Sequence, residues 1–397
     1  LSAIVRGTRQ LDGRHRGAPP AKAPPPPLDP SVPYNPNPSD RTRGSEAIND
    51  LSRFWRAGVT SFDTSDAFGG AETLLGQFLR LEPRAAAPGA AKVVVTLSLD
   101  GRGGTSAGQL TRADVRPAAL ELRVRAACAR LGVASLDHVQ LAWLGGDAPG
   151  RAGPVVAASS GAGRRRGLFG RKSGNSNDDN YNSSNNPNTP LWLDALLALQ
   201  DLRVRRGGLV QGVGVVGFSA ARLLRALDSG VDVATNLVPL SVVDRRAVSQ
   251  RGLSALCAER RVALLARGCL MGGFLQERFL GLPASAARLD TDAKLEYGRV
   301  VAAAGGWDRL QEQLEVLSRI GKKHGASASS VALRWALQQE SVAAVVVGAR
   351  NAAHIGDLRR AFAFKLGEDE LLDLDAAYES AVQPTGDVGE WERGGVW

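Results

Sequence analysis

Between Ser45 and Gly348 the sequence keeps switching its hydrophobic period, and this switching constrains the fold more than any other feature. Short runs that are apolar at most positions read as strands buried on both faces: Val59–Asp63, Lys92–Leu97, Leu136–Leu144, Val213–Val216, Val233–Val238, Val262–Ala266 and Val342–Gly348. Between them stand stretches that are apolar on one helical stripe: Ser45–Ala57, Leu191–Val204, Ala220–Leu227, Leu253–Arg260, Leu310–Lys322 and Ser327–Gln339. Ser45 is the expected N-cap of the first of these and Gly58 its end. Strands and helices that alternate this regularly make parallel βα units, either as an open doubly wound sheet or as a closed barrel. No glycine-rich GxGxxG turn follows an early strand, which counts against the dinucleotide-binding form of the open sheet.

Two segments stand outside the alternation. Ten of the 20 prolines fall between Pro19 and Pro38, so residues 17–43 are expected to form an extended, unpacked arm. Residues 145–190 run from Gly/Ala-rich sequence through a basic GRRRGLFGRK to an Asn/Ser-rich tract. Such composition buries too little apolar surface to offset the entropy of ordering, and a disordered insertion is expected. These segments also hold most of the formal charge of +9, with +4 in residues 1–43 and +3 in residues 144–190. A basic recognition face on the folded part is therefore not expected, nor is nucleic acid as a partner. The RRRGLFGRK run reads as a solvated linker, with peripheral contact to an anionic lipid surface or to nucleic acid as the alternative. No apolar run is long enough to span a bilayer. Cys128, Cys257 and Cys269 lack metal-ligand spacing and read as buried thiols; His15, His138, His324 and His354 are scattered, so no metal site is expected.

The chemistry rests on three stretches: GVTSFDTSDAFGGAETLLGQFL (residues 58–79), TLSLDG from Thr96, and RLGVASLDHVQLAWL (residues 130–144). With SAIVRGTRQLDG near the start, GGFLQERFLG, AAGGWDRLQEQLEVL and TGDVGEWER near the end, the chain resembles the aldo-keto reductases over nearly its whole length. The resemblance implies a single (β/α)8 barrel across residues 1–397, with the disordered insertion after its fourth strand. It implies NADP-dependent carbonyl reduction by an Asp, a Tyr, a Lys and a His. The Asp matches Asp63, but the Tyr position holds Phe68, the Lys position Leu97 and the His position Ala142.

In the family's reaction a hydride passes to the carbonyl carbon while Tyr protonates the oxygen, with Lys and Asp lowering its pKa and His orienting the substrate. Phe68 has no proton to give, and one general acid is worth roughly 10² to 10⁴ in rate. Asp63 is then expected to be a structural carboxyl, neutral or held by backbone donors. His138 shares a strand face with Ala142, but four residues at about 3.3 Å each put it about 13 Å deeper, as a core histidine. Tyr34, Tyr181, Tyr297 and Tyr378 are expected in the arm, the insertion or outer helices.

Cofactor positions implied by the resemblance are changed at the nicotinamide end, where Val216, Gly217, Leu237 and Arg267 stand in place of Ser-Asn, Gln and a stacking ring. The phosphate end keeps Gly272 and Gly273 and, after the eighth strand, Arg350, Asn351, His354 and Asp357. These read as a vestigial nucleotide site, with no resident cofactor expected and weak NADP(H) binding as the alternative.

The implied function is that of a pseudoenzyme, a structural or regulatory subunit of a larger assembly with protein partners. The alternatives are an NADP(H)-dependent oxidoreductase with an atypical active site and a nucleotide-sensing protein. The acid-poor N-terminus and the likeness to plant members of the family point to the chloroplast, with mitochondrion or cytoplasm as alternatives.

Overall fold

Eight short parallel strands close on themselves in the computed structural model: β1 (Ile4–Gly7), β2 (Ser61–Ser65), β3 (Lys92–Ser98), β4 (His138–Ala142), β5 (Val213–Val216), β6 (Val233–Pro239), β7 (Ala263–Arg267) and β8 (Val342–Gly348). The structure describes residues 3–11, 41–87, 90–99, 110–143, 189–204, 208–249, 252–287, 289 and 291–389. Around the strands stand α1 (Gly44–Arg56), α2 (Ala71–Leu81), α3 (Pro83–Ala86), α4 (Pro117–Leu131), α5 (Leu191–Val204), α6 (Ala220–Asp228), α7 (Arg246–Ser249) and α8 (Leu253–Arg260). Then follow α9 (Asp292–Ala303), α10 (Trp307–His324), α11 (Ala328–Leu337), α12 (Ile355–Arg360) and α13 (Glu368–Glu379). This is the (β/α)8 barrel expected, and all seven predicted strands are present. Among the described residues no helix is long and apolar enough to cross a membrane.

No strand is expected from the pattern before Val59, whereas the structure closes the barrel with β1, paired to β2 and β8. Four residues with Arg6 in the middle carry too little pattern to be read. Ser45 is not the cap of α1: Arg43 holds that place with no side-chain hydrogen bond, and Gly58 turns the chain away with φ of 93°. Residues 17–40 of the proline-rich arm lie outside the described residues. Its last part is packed, contrary to expectation: Arg41 N–H donates to the carbonyl of Arg350 (3.0 Å) and its guanidinium to Asp50 (3.2 Å). Residues 145–188 of the insertion also lie outside the described residues; Pro190 opens α5, its carbonyl accepting from the Leu193 amide (3.0 Å).

Alternation along each strand sends one set of side chains to the helices and the other into the barrel. The inner set divides in two. Val5, Leu237, Leu265 and Ala344, with Val216 and Val346 against them, make a dry half. Opposite, His138 meets Thr235 (Nε2 to Oγ1, 2.7 Å), Gln140 Nε2 donates to the same hydroxyl (3.1 Å), and Thr96 Oγ1 donates to Gln140 (3.4 Å). Burial pushes the His138 imidazole down to about 4, so it stays neutral inside this network. The three cysteines are free and buried, and burial pushes the Cys257 and Cys269 thiols up to about 12.

Candidate functional site at the barrel mouth

Active sites of such barrels lie at the C-terminal ends of the strands, so the inward residues at those ends define the site. On β2, Phe62 packs outward on Phe78 of α2 (ring centroids 5.2 Å apart), which turns Asp63 inward. Asp63 is 7% exposed and its Oδ1 has no hydrogen-bond partner. Burial pushes its carboxyl up to about 7, opposed by the charge of Arg267 at the end of β7. Asp63 is thus a poorly solvated acid near neutrality, and its Oδ1 has no donor; of the two expectations, a neutral carboxyl or one held by backbone donors, the raised pKa favours the first. The cation facing it comes from across the barrel, on a strand that the sequence pattern did not connect with it.

On β3 the facing differs from what the resemblance implies for Leu97. Val93, Val95 and Leu97 belong to the outer core, and Leu97 is completely buried there. The inward residues are Val94, Thr96 and Ser98, and it is Ser98 that pairs in register with Ala142. Leu97 therefore does not line the mouth; Ser98 does, with its hydroxyl 3.3 Å from that of Ser65. A polar clamp braces this edge: Asp66 accepts from the Ser98 amide (3.0 Å) and from Arg123 Nε of α4 (3.1 Å). Phe68 sits half-buried on the turn after β2, packed against the core, with its amide on the Ser65 carbonyl (3.0 Å).

Glycines at the rim mark where backbone could approach a ligand, and several are already in close contact with the chain itself. A Cβ on Gly348, at the end of β8, would run into the amide of Gln10. A Cβ on Gly217, after β5, would lie 3.6 Å from the Cα of Gly389 in the C-terminal segment. That segment is bolted down by Arg246, whose Nη1 donates to the Asp387 carbonyl (3.2 Å) while Nε and Nη2 grip Asp244 (2.9 and 2.7 Å). On Gly272 a Cβ would lie 2.9 Å from both the Ala293 carbonyl and the Tyr297 ring of α9, and on Gly268 it would collide with the Tyr297 hydroxyl. Tyr297, expected on an outer helix, thus lies over the loop after β7. Gly273 has φ of 97° and more room, with Gln276 Nε2 3.5 Å from a Cβ there.

After β8, Asn351 accepts from the Ala353 amide (3.0 Å), and the amide of Ala352 is taken by Asp50 Oδ2 of α1 (2.9 Å). His354 is exposed and Asp357 half-buried, its carbonyl accepting from Ser330 Oγ (2.9 Å). Leu237 and Val216 are part of the dry inner half. Sequence reasoning missed Gln10, Ser98 and the role of Tyr297 because each depends on facing or on contacts distant in the chain.

The sequence profile of the Aldo/keto reductase family matches residues 35–379. The chain belongs to this family. Among solved structures, a glycerol dehydrogenase of Gluconobacter oxydans superposes with a TM-score of 0.65 at 18% identity, over 98% of this chain and 94% of that one. An aldo-keto reductase of Bacillus halodurans in its holo form gives 0.59 at 15% identity, over 95% and 92%. A curated protein, flagellar radial spoke protein 5 of Chlamydomonas reinhardtii, is 39% identical over 129 residues. That stretch is 32% of this aldo/keto reductase family chain and only 24% of the length of the spoke protein.

Proposed function

We propose that this chain is a non-catalytic member of the aldo/keto reductase family that serves as a structural or regulatory subunit of a larger assembly. The observation that carries the reading is the make-up of the mouth. Around Asp63 the inward positions offer the hydroxyls of Ser65 and Ser98, Ala142, Val216, Leu237 and the guanidinium of Arg267, with Phe68 on the turn beside them. None of these supplies a phenolic acid or an ammonium group to protonate a carbonyl oxygen. Gln10 and Tyr297 already stand against two of the rim glycines, Gly348 and Gly268. Kinship over part of its length with a protein named for a flagellar radial spoke supports the assembly role. Isolation of the tagged full chain from its native source, followed by mass spectrometry, is expected to recover protein partners in near-stoichiometric amounts. A strictly monomeric, partner-free protein in its own compartment would overturn the proposal.

One observation favours a second reading, an oxidoreductase with atypical acids. A carboxyl held at about 7 is protonated in part of the molecules at neutral pH and can donate a proton. NADPH oxidation above a heat-killed control with aldehydes and quinones, abolished by Asp63→Asn, would establish it.

A further inference from the structure

Outside the ring of strands, α10 carries a polar residue where its apolar stripe calls for a hydrophobic one. Leu310, Leu314 and Leu317 mark that stripe, and Gln313 stands within it, 2% exposed. Among the described residues neither Gln313 Oε1 nor Nε2 has a hydrogen-bond partner. Gln311, two positions away, shows the same side chain with its needs met by the fold. Its Nε2 donates to the Phe279 carbonyl (2.9 Å) and its Oε1 accepts from the Gly281 amide (2.7 Å). A buried carboxamide unmet at both ends is costly, and it calls for a group that completes it.

Gln313 lines a cavity of about 270 Å³, counting its open entrance. The walls are Val243 from the loop after β6, Val301 of α9, Leu310 of α10 and Ala381 from the segment after α13. These elements are tied together around it. The Val382 amide donates to the Ala304 carbonyl at the end of α9 (3.1 Å), and Glu312 of α10 accepts from Ser380 Oγ (3.3 Å). Among the described residues Arg309 is the one charged side chain that lines the space, and it is paired with the same Glu312 carboxylate (2.6 and 2.8 Å). The cavity therefore offers no net charge to an ion, and its apolar walls make an ion costly to bury. What it offers is a donor and an acceptor side by side on one planar group. The complement of that pair is another amide, whose N–H and C=O meet the carboxamide through two hydrogen bonds while its hydrocarbon part covers Val243, Val301 and Leu310.

We infer that this cavity is a binding site for a small neutral amide, held by Gln313 through paired hydrogen bonds. It shares no residue with the barrel mouth or with the loops after β7 and β8. The inference thus goes beyond the proposed function and stands whether or not the mouth is catalytic.

The test uses the full chain and two rings of nearly equal size: 2-pyrrolidinone, which carries the amide, and cyclopentanone, which has the acceptor alone. Affinities are read by saturation-transfer NMR titration on wild type and on Gln313→Leu, which keeps the apolar bulk and loses both polar atoms. Wild type is expected to bind 2-pyrrolidinone saturably and about ten-fold tighter than cyclopentanone, the worth of a donor otherwise left unmet. In Gln313→Leu the two rings are expected to bind within about two-fold of each other, with that hydrogen bond gone from both. Excess NADPH is expected to leave the wild-type titration unchanged. Failure of wild type to bind the lactam saturably, equal affinity for the two rings, a preference that persists in Gln313→Leu, or displacement of the lactam by NADPH would each overturn the inference. Should Gln313→Leu fail to fold, Ala381→Leu decides, because it narrows the entrance from a half-buried position. That variant is expected to weaken 2-pyrrolidinone about ten-fold, as overfilled contacts do, and an unchanged affinity would again overturn the inference.

Discussion

Two buried titratable residues in the barrel pull its stability in opposite directions with pH. Asp63 has its carboxyl raised to about 7, so the folded state binds a proton that the unfolded chain releases above the ordinary carboxylate range. Its contribution falls as pH rises from about 4 to about 7 and is flat beyond. His138 is lowered to about 4, so the unfolded chain takes up a proton that the folded state refuses, and stability falls as pH drops from about 6.5 to about 4. The effects are on the order of 3 to 4 kcal/mol at full extent, and over the shared window they oppose each other. Urea unfolding at pH 4.5 and 7 separates them. Relative to wild type, Asp63→Asn is expected to gain stability at pH 7 more than at pH 4.5, and His138→Gln to gain at pH 4.5 more than at pH 7. Parallel shifts at both pH values would show that neither group titrates as its burial requires. At this scale the sequence makes Asp63 visible through its motif, but not its partner, since Arg267 reaches it from five strands further along the chain. Leu97 shows the other limit: a register error of one residue exchanges the two faces of a strand, and Ser98 takes the place at the mouth.

At the scale of elements, strands and helices are legible because burial on two faces and burial on one stripe leave different periods. Close approach between helices leaves a fainter mark. Gly76 in α2 sits against the backbone of α4, where a Cβ would meet Leu131 Cα at 2.9 Å and run into the Arg130 carbonyl. Nothing in the apolar stripe distinguishes it from Gly70, which has open space around it and an ordinary φ of −78° at the N-cap of the same helix. The two are expected to respond in opposite ways. Gly76→Ala forces the helices apart and is expected to cost about 1–3 kcal/mol in urea unfolding, as overpacked contacts do. Gly70→Ala is expected to stay within about 0.5 kcal/mol of wild type, the range of an uncrowded surface change. Equal effects would mean that α2 and α4 do not approach as closely as Gly76 demands. Glycines seated against the chain's own atoms are therefore poor evidence for ligands when read in sequence alone, and Gly272 under Tyr297 is the same case at the mouth.

Closure of the barrel depends on its least legible strand. β1 is four residues long, yet it joins β2 to β8 and removes the two open edges that the other seven strands would otherwise present. Arg6 fastens it from the helical side. Its guanidinium donates to the Ala349 carbonyl (2.5 Å) and to that of Gly7, and lies 5.1 Å from the centre of the Phe54 ring of α1. Burial pulls Arg6 down to about 10, with the charge of Asp50 opposing, so it remains a cation at any physiological pH. A buried charge of this kind would be a poor choice for an ordinary strand, and it is why the segment does not look like one. Its value lies in linking β1, the loop after β8 and α1 in one group, which apolar packing of so short a strand does not achieve. Arg6→Met keeps the volume but removes the side-chain donor to the Gly7 and Ala349 carbonyls, and is expected to lower stability by about 1–3 kcal/mol. Deletion of residues 1–11 goes further: the edges of β2 and β8 are bared, and cooperative melting is expected to be lost, with dye-binding apolar surface and association in its place. A deleted chain that stays monomeric and melts in one sharp transition near the wild-type temperature would show that seven strands and their helices hold the ring without β1.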